Sequence, residues 1–509
     1  MSRLLQHVAL ALAVGLSAAH FYSFPLFESP IVTDIRYYVY NAWQITEGAV
    51  LHRDLFALKT QLASFTGALL YALGEGFGVA PLFAIRAGYL LIAAAGGVLA
   101  FEIFRRLGRG RSTAGLLGAI AYCAFGLMGA LPAIGNVPKL LMCVLASATG
   151  LLVQGRHWFW AGVAGALAFM DWQPGALVGL AALLSALLFG RPVVGAALRV
   201  VAGVVAGLAP FALYYALQGA LASALQQILI ASFLRGADSR GGGAPRAFEQ
   251  IQACVWETCP GYGWLFYASF VGMPVVLVWL WSRRGSKEWR LLVPLSIYHF
   301  GLVGFSLVDF QWYGDLMALL HSSVFFLAAS WVALYGAVSD GLERLARARG
   351  PTARRGAGLA VGLGFLVVAV AIARPAFLRP ELSLRTSSSG AHPNTTLADQ
   401  RAVAELVRSA VGDRRFALLD SSELLFLLRH ANPLPTPYFN DAVWRRYRGA
   451  PQEPPALTAM NLLRDAEADV IVFPRTLPKP PELLQRYRRR ILYSADRTYS
   501  VVLWLARAR

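Results

Sequence analysis

The stretch TDIRYYVYNAWQITEGAVLHRD, residues 33–54, is polar and aromatic in a chain that is otherwise strongly apolar. The 509 residues are 57% hydrophobic and 15% charged, with a mean hydropathy of +0.52. A soluble domain carries about a quarter charged residues, so this composition predicts an integral membrane protein. Two carboxylates, Asp34 and Asp54, stand in the stretch soon after the first long apolar run. Ionisable groups close to a bilayer are costly, which marks the stretch as a candidate functional segment.

The basic residues indicate how the chain crosses the membrane. Many arginines fall in short clusters between apolar runs, at residues 104–111, 154–157, 190–199, 282–290 and 343–355. Cytoplasmic loops of membrane proteins carry the excess of basic residues, so these clusters predict a cytoplasmic N-terminus and about eleven membrane-spanning helices. The first apolar run is expected to remain as a span. Residues 62–74 are too short to cross, and we expect them to lie on the outer surface.

The net charge of +18 indicates membrane orientation and membrane lipids as partners, with no nucleic acid, because the arginines lie between apolar runs. Only four of the 46 basic residues are lysine (Lys59, Lys139, Lys287 and Lys479). This bias, together with the many alanines and glycines, suggests a GC-rich bacterial genome. We therefore expect a multi-pass protein of the bacterial inner membrane whose active face is periplasmic.

Composition also divides the chain into domains. Residues 1–375 are predicted to form the α-helical polytopic membrane domain, with an outer loop at 25–62, and the Pro/Ser-rich residues 376–398 are predicted to be a linker. Residues 399–509 are predicted to form a small extracytoplasmic α/β domain. Its strands are expected at 416–420, 469–474 and 499–506, and one of its helices is expected at PPELLQRYRRRI, residues 480–491.

Two of the four cysteines, Cys254 and Cys259, lie in the segment QACVWETCPGYGW, which is expected to be an outward-facing polar loop. An oxidising compartment would allow a local disulfide between them, and two free thiols are the alternative. A zinc site is not indicated because no histidine is near.

The predicted outward turns gather the ionisable and aromatic side chains. The cations in this set include Arg36, Arg53, Lys59 and Lys139, and the aromatic residues include Tyr37, Tyr38, Trp172 and Tyr313. The acids are Asp34, Glu47, Asp54, Asp171, Asp238, Glu249, Glu257, Asp309 and Asp315. A single one of these residues is explained by the polarity of loops, whereas the whole set favours a cavity that opens to the outer leaflet.

The segment that carries Asp34 and Asp54 resembles the first outer loop of the GT-C glycosyltransferases, and this resemblance implies that the residue set serves transfer of a sugar from a lipid phosphate. The reaction needs a carboxylate as general base, cations that stabilise the departing phosphate, and an apolar groove for the lipid tail. Asp34 is the candidate base, and its alternative role is to cap the following helix. Asp54 is either a second catalytic acid or the ion-pair partner of Arg53.

The remaining candidates are divided between donor and acceptor. Arg53, Lys59, Arg86 and Lys139 are candidate phosphate ligands, with snorkelling to lipid headgroups as the alternative for these cations. Tyr37, Tyr38, Asp171, Tyr313 and Asp315 are candidate acceptor-side residues.

The segment TDIRYYVYNAWQITEGAVLHRDLFALKTQLASF resembles the first outer loop of the GT-C glycosyltransferases. This superfamily includes the protein O-mannosyltransferases and the aminoarabinose transferases. The matching features are Asp34, the Tyr37–Tyr38 pair, Gly48, the Arg53–Asp54 pair and Lys59. GEGFGVAPLFAIRAGYLL, with Arg86, and DFQWYGDLMALLHSSVFFLAAS resemble later landmarks of the superfamily. Departures include Ile35, where many members carry Glu, and Asp171, where Lys is more common.

The resemblance implies a membrane glycosyltransferase with a polyprenyl-phosphate-linked sugar as donor. Its acceptor would be an envelope glycan, lipid or protein, and no cofactor is certain, since a divalent Mg or Mn ion serves only some branches of the superfamily. Two alternatives remain open. A flippase would show paired half-sequences, and a non-catalytic subunit of an envelope-biosynthesis complex would explain the departures.

Overall fold

The protein is described by a computed structural model. The description covers residues 3–24, 26–32, 34–57, 60–231, 243–259, 263–310, 313–346, 351–378, 395–434, 454–473 and 477–507.

Helices dominate the chain up to residue 378. In chain order they are α1 (Arg3–Tyr22), α2 (Ile35–Thr46), α3 (Leu62–Gly76), α4 (Pro81–Leu107), α5 (Ser112–Cys123), α6 (Leu127–Ala130), α7 (Leu140–Gln154), α8 (Trp158–Asp171), α9 (Ala176–Phe189), α10 (Val193–Leu217), α11 (Leu221–Leu225), α12 (Gly243–Thr258), α13 (Trp264–Ser282), α14 (Lys287–Ser306), α15 (Tyr313–Ala346) and α16 (Pro351–Leu378). A 3₁₀ turn at Gln173–Gly175 precedes α9, and a π-helical turn at Gln226–Ala231 follows α11.

The prediction of an α-helical polytopic membrane protein is confirmed. Among the described residues, five helices are long and apolar enough to cross a membrane: Pro81–Leu107, Val193–Leu217, Trp264–Ser282, Gly314–Ala346 and Gly356–Arg374. Three shorter apolar helices cover Ser112–Cys123, Leu140–Gln154 and Gln173–Phe189. The count of about eleven spans stays a prediction. The segment 62–74, expected as a surface helix, lies within the fifteen-residue helix α3.

The chain after residue 395 contains the small sheet that the sequence predicted. Its elements are α17 (Leu397–Val411), β1 (Phe416–Leu418), α18 (Ser422–Leu428), α19 (Pro455–Asp465), β2 (Val470–Val472), α20 (Pro481–Arg486), β3 (Tyr487–Tyr493) and β4 (Ser500–Ala506). The strand order is β1-β2-β4-β3, with β1 parallel to β2 and the other pairs antiparallel. The predicted linker, 376–398, is described only up to Leu378 and from Thr395 onward.

One prediction for this region is wrong. The helix expected at residues 480–491 ends at Arg486, and residues 487–493 form strand β3. The physical reason is the partner strand, because β3 pairs along its whole length with β4, from Tyr487 opposite Ala506 to Tyr493 opposite Ser500. Helical periodicity over 480–491 is a local signal, and the non-local ladder overrides it.

The predicted disulfide is also absent. Cys254 and Cys259 are both buried, and no disulfide joins these two described residues. Cys254 lies inside α12, and the amide of Cys259 donates to the carbonyl of Val255, so the helical path continues past the helix end. Positions five apart on a helix do not face each other, which keeps the two thiols from meeting.

Apolar packing joins the outer loop to the C-terminal sheet. Ile31 and Ile35 belong to the same buried cluster as Val403 of α17 and Val501 of β4. On the other face of the sheet, Phe56 packs in a cluster with residues that include Ile471 and Trp504. Buried apolar area of this kind is the main force that holds elements together. The loop that carries the candidate acids is therefore fixed on both sides.

Candidate active site

Asp34 stands at the start of α2 with an exposed side chain. Its backbone carbonyl accepts the amides of Tyr37 and Tyr38, as expected at a helix start, but its carboxylate makes no capping hydrogen bond to the helix. The alternative role of Asp34 as a side-chain cap therefore finds no support. The carboxylate is close enough to Tyr37 to raise the pKa of that phenol, although burial is the larger cause.

A buried polar cluster lies beside Asp34, on α2 and the segments packed against it. Asn41, on the same face of α2 two turns later, is fully buried and lies near Tyr37. Neither amide atom of Asn41 forms a hydrogen bond with a described residue, and the same holds for the Thr60 hydroxyl. Buried polar groups are almost always paired. Unpaired groups in this number indicate a place for water or a polar ligand.

Asn136, in the 131–139 turn, also belongs to this cluster. The Asn136 amide donates to the carbonyls of Tyr38, at 2.9 Å, and Ala63, at 3.2 Å, while its own oxygen has no partner among the described residues. The Tyr37 hydroxyl donates to the carbonyl of Phe56 at 3.0 Å. Tyr37 and Tyr38, predicted on the acceptor side, therefore lie where α2 meets the rest of the outer loop. Asn136 has no signal in the sequence beyond its place in an outward turn.

Arg53 and Asp54 form an exposed ion pair. The Arg53 guanidinium donates to both carboxylate oxygens of Asp54 at 2.8 Å, and one of those oxygens also accepts the amide of Val50. The hydrogen bond from Arg53 is the largest cause that lowers the pKa of Asp54. The ion-pair role foreseen for Asp54 is present, and a catalytic role for either residue stays a prediction.

The side chain of Gln227, in the π-helical turn, contacts the same loop. Gln227 accepts the backbone amide of Ala57 at 2.9 Å, lies 3.0 Å from His52 Nδ1, and donates to the His52 carbonyl at 3.1 Å. Burial lowers the pKa of His52 to about 4. The sequence did not predict these contacts of Gln227, because the two segments are far apart along the chain.

Arg86 has a structural role. It is fully buried, and its guanidinium donates to three backbone carbonyls, those of Ile134 at 2.8 Å and of Leu26 and Ser29 at 2.6 Å each. These contacts tie the first outer loop to the 131–139 turn, and the predicted contact of Arg86 with a donor phosphate stays a prediction. The planar guanidinium carries five N–H donors and is therefore suited to bind several carbonyl groups at once.

Replacing Arg86 by glutamine is expected to lower the unfolding free energy by about 3 kcal/mol, because buried carbonyls lose their donors. The measurement is the midpoint of thermal unfolding of purified protein, with Arg408→Gln as the exposed arginine control. Unchanged stability in the Arg86 variant would contradict the structural role.

A second buried polar cluster lies where the start of α7, the end of α8 and the start of α15 meet. The Lys139 ammonium forms a salt bridge with the carboxylate of Asp315, at the start of α15, and both side chains are at most 4% exposed. The same ammonium lies 4.3 Å from the ring centroid of Trp172, so the lysine is attracted both to a carboxylate and to an aromatic face. A Cβ on Gly314 would come within 3.1 Å of Lys139 Nζ, which favours glycine there.

Asp171 completes this cluster from the end of α8. One carboxylate oxygen accepts the backbone amides of Lys139, at 2.7 Å, and Met142, at 3.0 Å, and so caps the start of α7 from another helix. The other oxygen is buried without a partner among the described residues. Lys139 itself adopts φ +81°, a strained conformation for a non-glycine residue. The structure thus brings Asp171 and Asp315, which were both predicted on the acceptor side, together with Lys139, which was predicted as a phosphate ligand.

Several predicted features lie outside the described part of the chain. They are Lys59, Asp238 and the side chain of Tyr313. Within the described residues no group of three or more His, Cys, Asp or Glu side chains is arranged to hold a metal ion.

Glu423 is a buried carboxyl at the contact between α2 and the C-terminal domain. It accepts the Tyr499 hydroxyl at 2.5 Å, and its second oxygen lies 3.8 Å from the Arg36 guanidinium. Burial is the largest cause acting on this group and raises the pKa of Glu423, partly opposed by Arg36. The folded protein therefore holds this proton at pH values where the unfolded chain has lost it.

The contribution of Glu423 to the stability of the protein is therefore expected to decrease as the pH rises from the ordinary pKa of a glutamate through the raised pKa of this group. Glu423→Gln removes this titration and keeps the shape of the side chain. The check is the thermal midpoint of both proteins from pH 4 to 8. The difference should move in favour of the variant as the pH rises, and a constant difference would contradict the expectation.

The fold is that of a helical polytopic membrane protein that holds two buried polar clusters, and solved structures share this fold over the whole chain. The whole chain superposes on ArnT, an aminoarabinose transferase from Cupriavidus metallidurans. Its crystal structure in the apo state aligns with a TM-score of 0.59 at 16% identity, covering 100% of both chains. Its crystal structure bound to undecaprenyl phosphate aligns with a TM-score of 0.57 at 15% identity, with the same coverage.

The likeness to ArnT confirms the GT-C resemblance at the level of the fold. No protein-family model matches the sequence. No curated protein matches it significantly either.

Proposed function

We propose that the protein is an integral-membrane glycosyltransferase that transfers a sugar from a polyprenyl-phosphate donor to an envelope acceptor. The observation that carries this proposal is the exposed Asp34 carboxylate beside a buried polar cluster with unpaired groups, in a chain that has the ArnT fold throughout. The ArnT structure with undecaprenyl phosphate supports the choice of donor.

Asp34 acts as the general base in this proposal. Its carboxylate accepts the proton of the acceptor hydroxyl while that oxygen bonds to the anomeric carbon of the donor sugar. The bond between the anomeric carbon and the phosphate oxygen breaks, and polyprenyl phosphate departs with the bonding electrons. Cations stabilise the charge that develops on the phosphate. Lys59 is adjacent in sequence to Thr60 of the unpaired cluster, and Lys139 is buried and already paired with Asp315.

The two polar clusters support a division of roles. The Asn41–Asn136 region offers unpaired amide and hydroxyl groups of the type that sugars recognise, and it adjoins Asp34. The Lys139–Asp315 cluster joins the start of α7, the end of α8 and the start of α15. We place the active face on the periplasmic side of the bacterial inner membrane, because the arginine clusters lie at the opposite ends of the helices.

The experiment that tests the proposal is release of polyprenyl phosphate from a panel of polyprenyl-phosphate sugars by purified protein in nanodiscs. Activity on at least one donor, measured with and without a chelator and with added Mg²⁺ or Mn²⁺, supports the proposal and decides metal dependence. Donor binding without turnover of any panel member, even with envelope extract as acceptor, would count against catalysis and favour a subunit or flippase.

A further inference from the structure

The C-terminal domain holds the chain immediately before α2. The amide of Leu397, at the start of α17, donates to the carbonyl of Glu28 at 2.8 Å. One turn later the side chain of Gln400 makes two hydrogen bonds to one residue. It accepts the amide of Ile31 at 2.7 Å and donates to the Ile31 carbonyl at 2.9 Å. Gln400 is 1% exposed, so this paired contact is shielded from water.

The same domain also holds α2 along one face. Arg36 pairs with Asp420 at 3.2 Å, and the amide of Asn432 donates to the Tyr40 hydroxyl at 3.0 Å. Positions 36 and 40 are four apart, and side chains at this spacing lie one above the other on a helix. Trp43 extends this face, with the Arg429 guanidinium 6.0 Å from its ring centroid.

Asp34 lies between these two sets of contacts. It comes three residues after Ile31 and two residues before Arg36, at the N-cap of α2. The backbone that carries the carboxylate is therefore positioned by contacts on both sides of it. Both anchors are supplied by a domain that begins more than 360 residues later, since Ile31 and Gln400 are 369 positions apart.

We infer that the C-terminal domain is part of the catalytic unit, with Gln400 and Asp420 as positioning residues that set the place of Asp34. This inference rests on the proposed function, because it takes the contacts of Gln400 and Asp420 to serve sugar transfer by Asp34. A carboxylate must be placed within a fraction of an ångström to remove a proton in the transition state, and small displacements lower the rate steeply. The donor phosphate is bound by other groups, so its affinity is not set by these contacts.

The test compares Gln400→Ala and Asp420→Asn with matched controls on the same domain. Gln485→Ala and Asp413→Asn change exposed residues of the same types. We expect the Gln400 and Asp420 variants to lose at least about tenfold in kcat while KM for the donor stays within about twofold. Gln400→Glu, which keeps the acceptor for the Ile31 amide but loses the donor, should fall between Gln400→Ala and wild type.

A readout independent of turnover separates this inference from the proposed function. Hydrogen exchange of the amides in residues 35–46 should accelerate in Gln400→Ala and remain as in wild type in Gln485→Ala. If the protein releases no sugar from any donor but α2 exchange accelerates, transfer is wrong and the mechanical coupling stands. Unchanged kcat and unchanged exchange in a folded Gln400→Ala protein would overturn the inference. A rise in donor KM with unchanged kcat would also overturn it.

Discussion

Replacing Asp34 by asparagine is expected to lower kcat for sugar transfer by about 10²–10⁴-fold, the usual contribution of a general base. The side chain keeps its size and loses only its ability to accept a proton. It makes no capping hydrogen bond to α2, so the helix should be unaffected. The measurement is single-turnover release of polyprenyl phosphate, together with the thermal midpoint of the variant.

The control for this prediction is Asp413→Asn, an exposed carboxylate at the end of α17. It should retain the wild-type rate. A folded Asp34→Asn protein that keeps its rate within tenfold would show that the base is elsewhere. Asp54 would be examined next, although its carboxylate already accepts three hydrogen bonds from Arg53 and Val50.

The largest expected effect on stability belongs to Lys139→Met. Removing one partner of a buried ion pair leaves the other charge uncompensated, at a cost of about 3–5 kcal/mol. Asp315 would keep its burial without the ammonium, and the cation–π contact with Trp172 would be lost. The backbone amide of residue 139 would still donate to Asp171, so the start of α7 should be retained. The thermal midpoint and the yield of folded protein measure this effect.

The double variant Lys139→Met, Asp315→Leu is the informative comparison. Apolar replacement of both partners removes the unpaired charge and should recover most of the lost stability. Recovery of stability without recovery of activity would indicate that the pair is kept for function. Equal instability of the single and double variants would contradict the cost assigned to the buried charge.

Much of the local structure could be predicted from the sequence. The polar stretch at 33–54 predicted a helix that begins after Asp34, and α2 begins at Ile35. The helical membrane domain was expected to end at residue 375, and the structure has a candidate span at Gly356–Arg374. Hydropathy and helix periodicity depend on neighbours along the chain, so they can be read without knowing the fold.

The contacts that the sequence did not reveal are made with partners that are distant along the chain. Arg86 was assigned to a phosphate because charge near a membrane indicates function, but its acceptors are carbonyls of two other segments. Residues 487–493, expected as part of a helix, form a strand because they pair with β4. Cys254 lies in a helix whose path continues to Cys259, and this keeps the two thiols apart. Charge and local pattern do not identify which distant group will pair with a side chain.

The sequence by itself determined that the protein is a helical membrane protein, where its polar outer turns lie, and which residue types they carry. Those properties follow from hydropathy and from the positions of the basic residues. Only the tertiary structure decided that Lys139 meets Asp315 and that Gln400 holds Ile31 across 369 positions. Such contacts form because packing closes long loops and shields polar pairs from water, and that outcome depends on the whole fold.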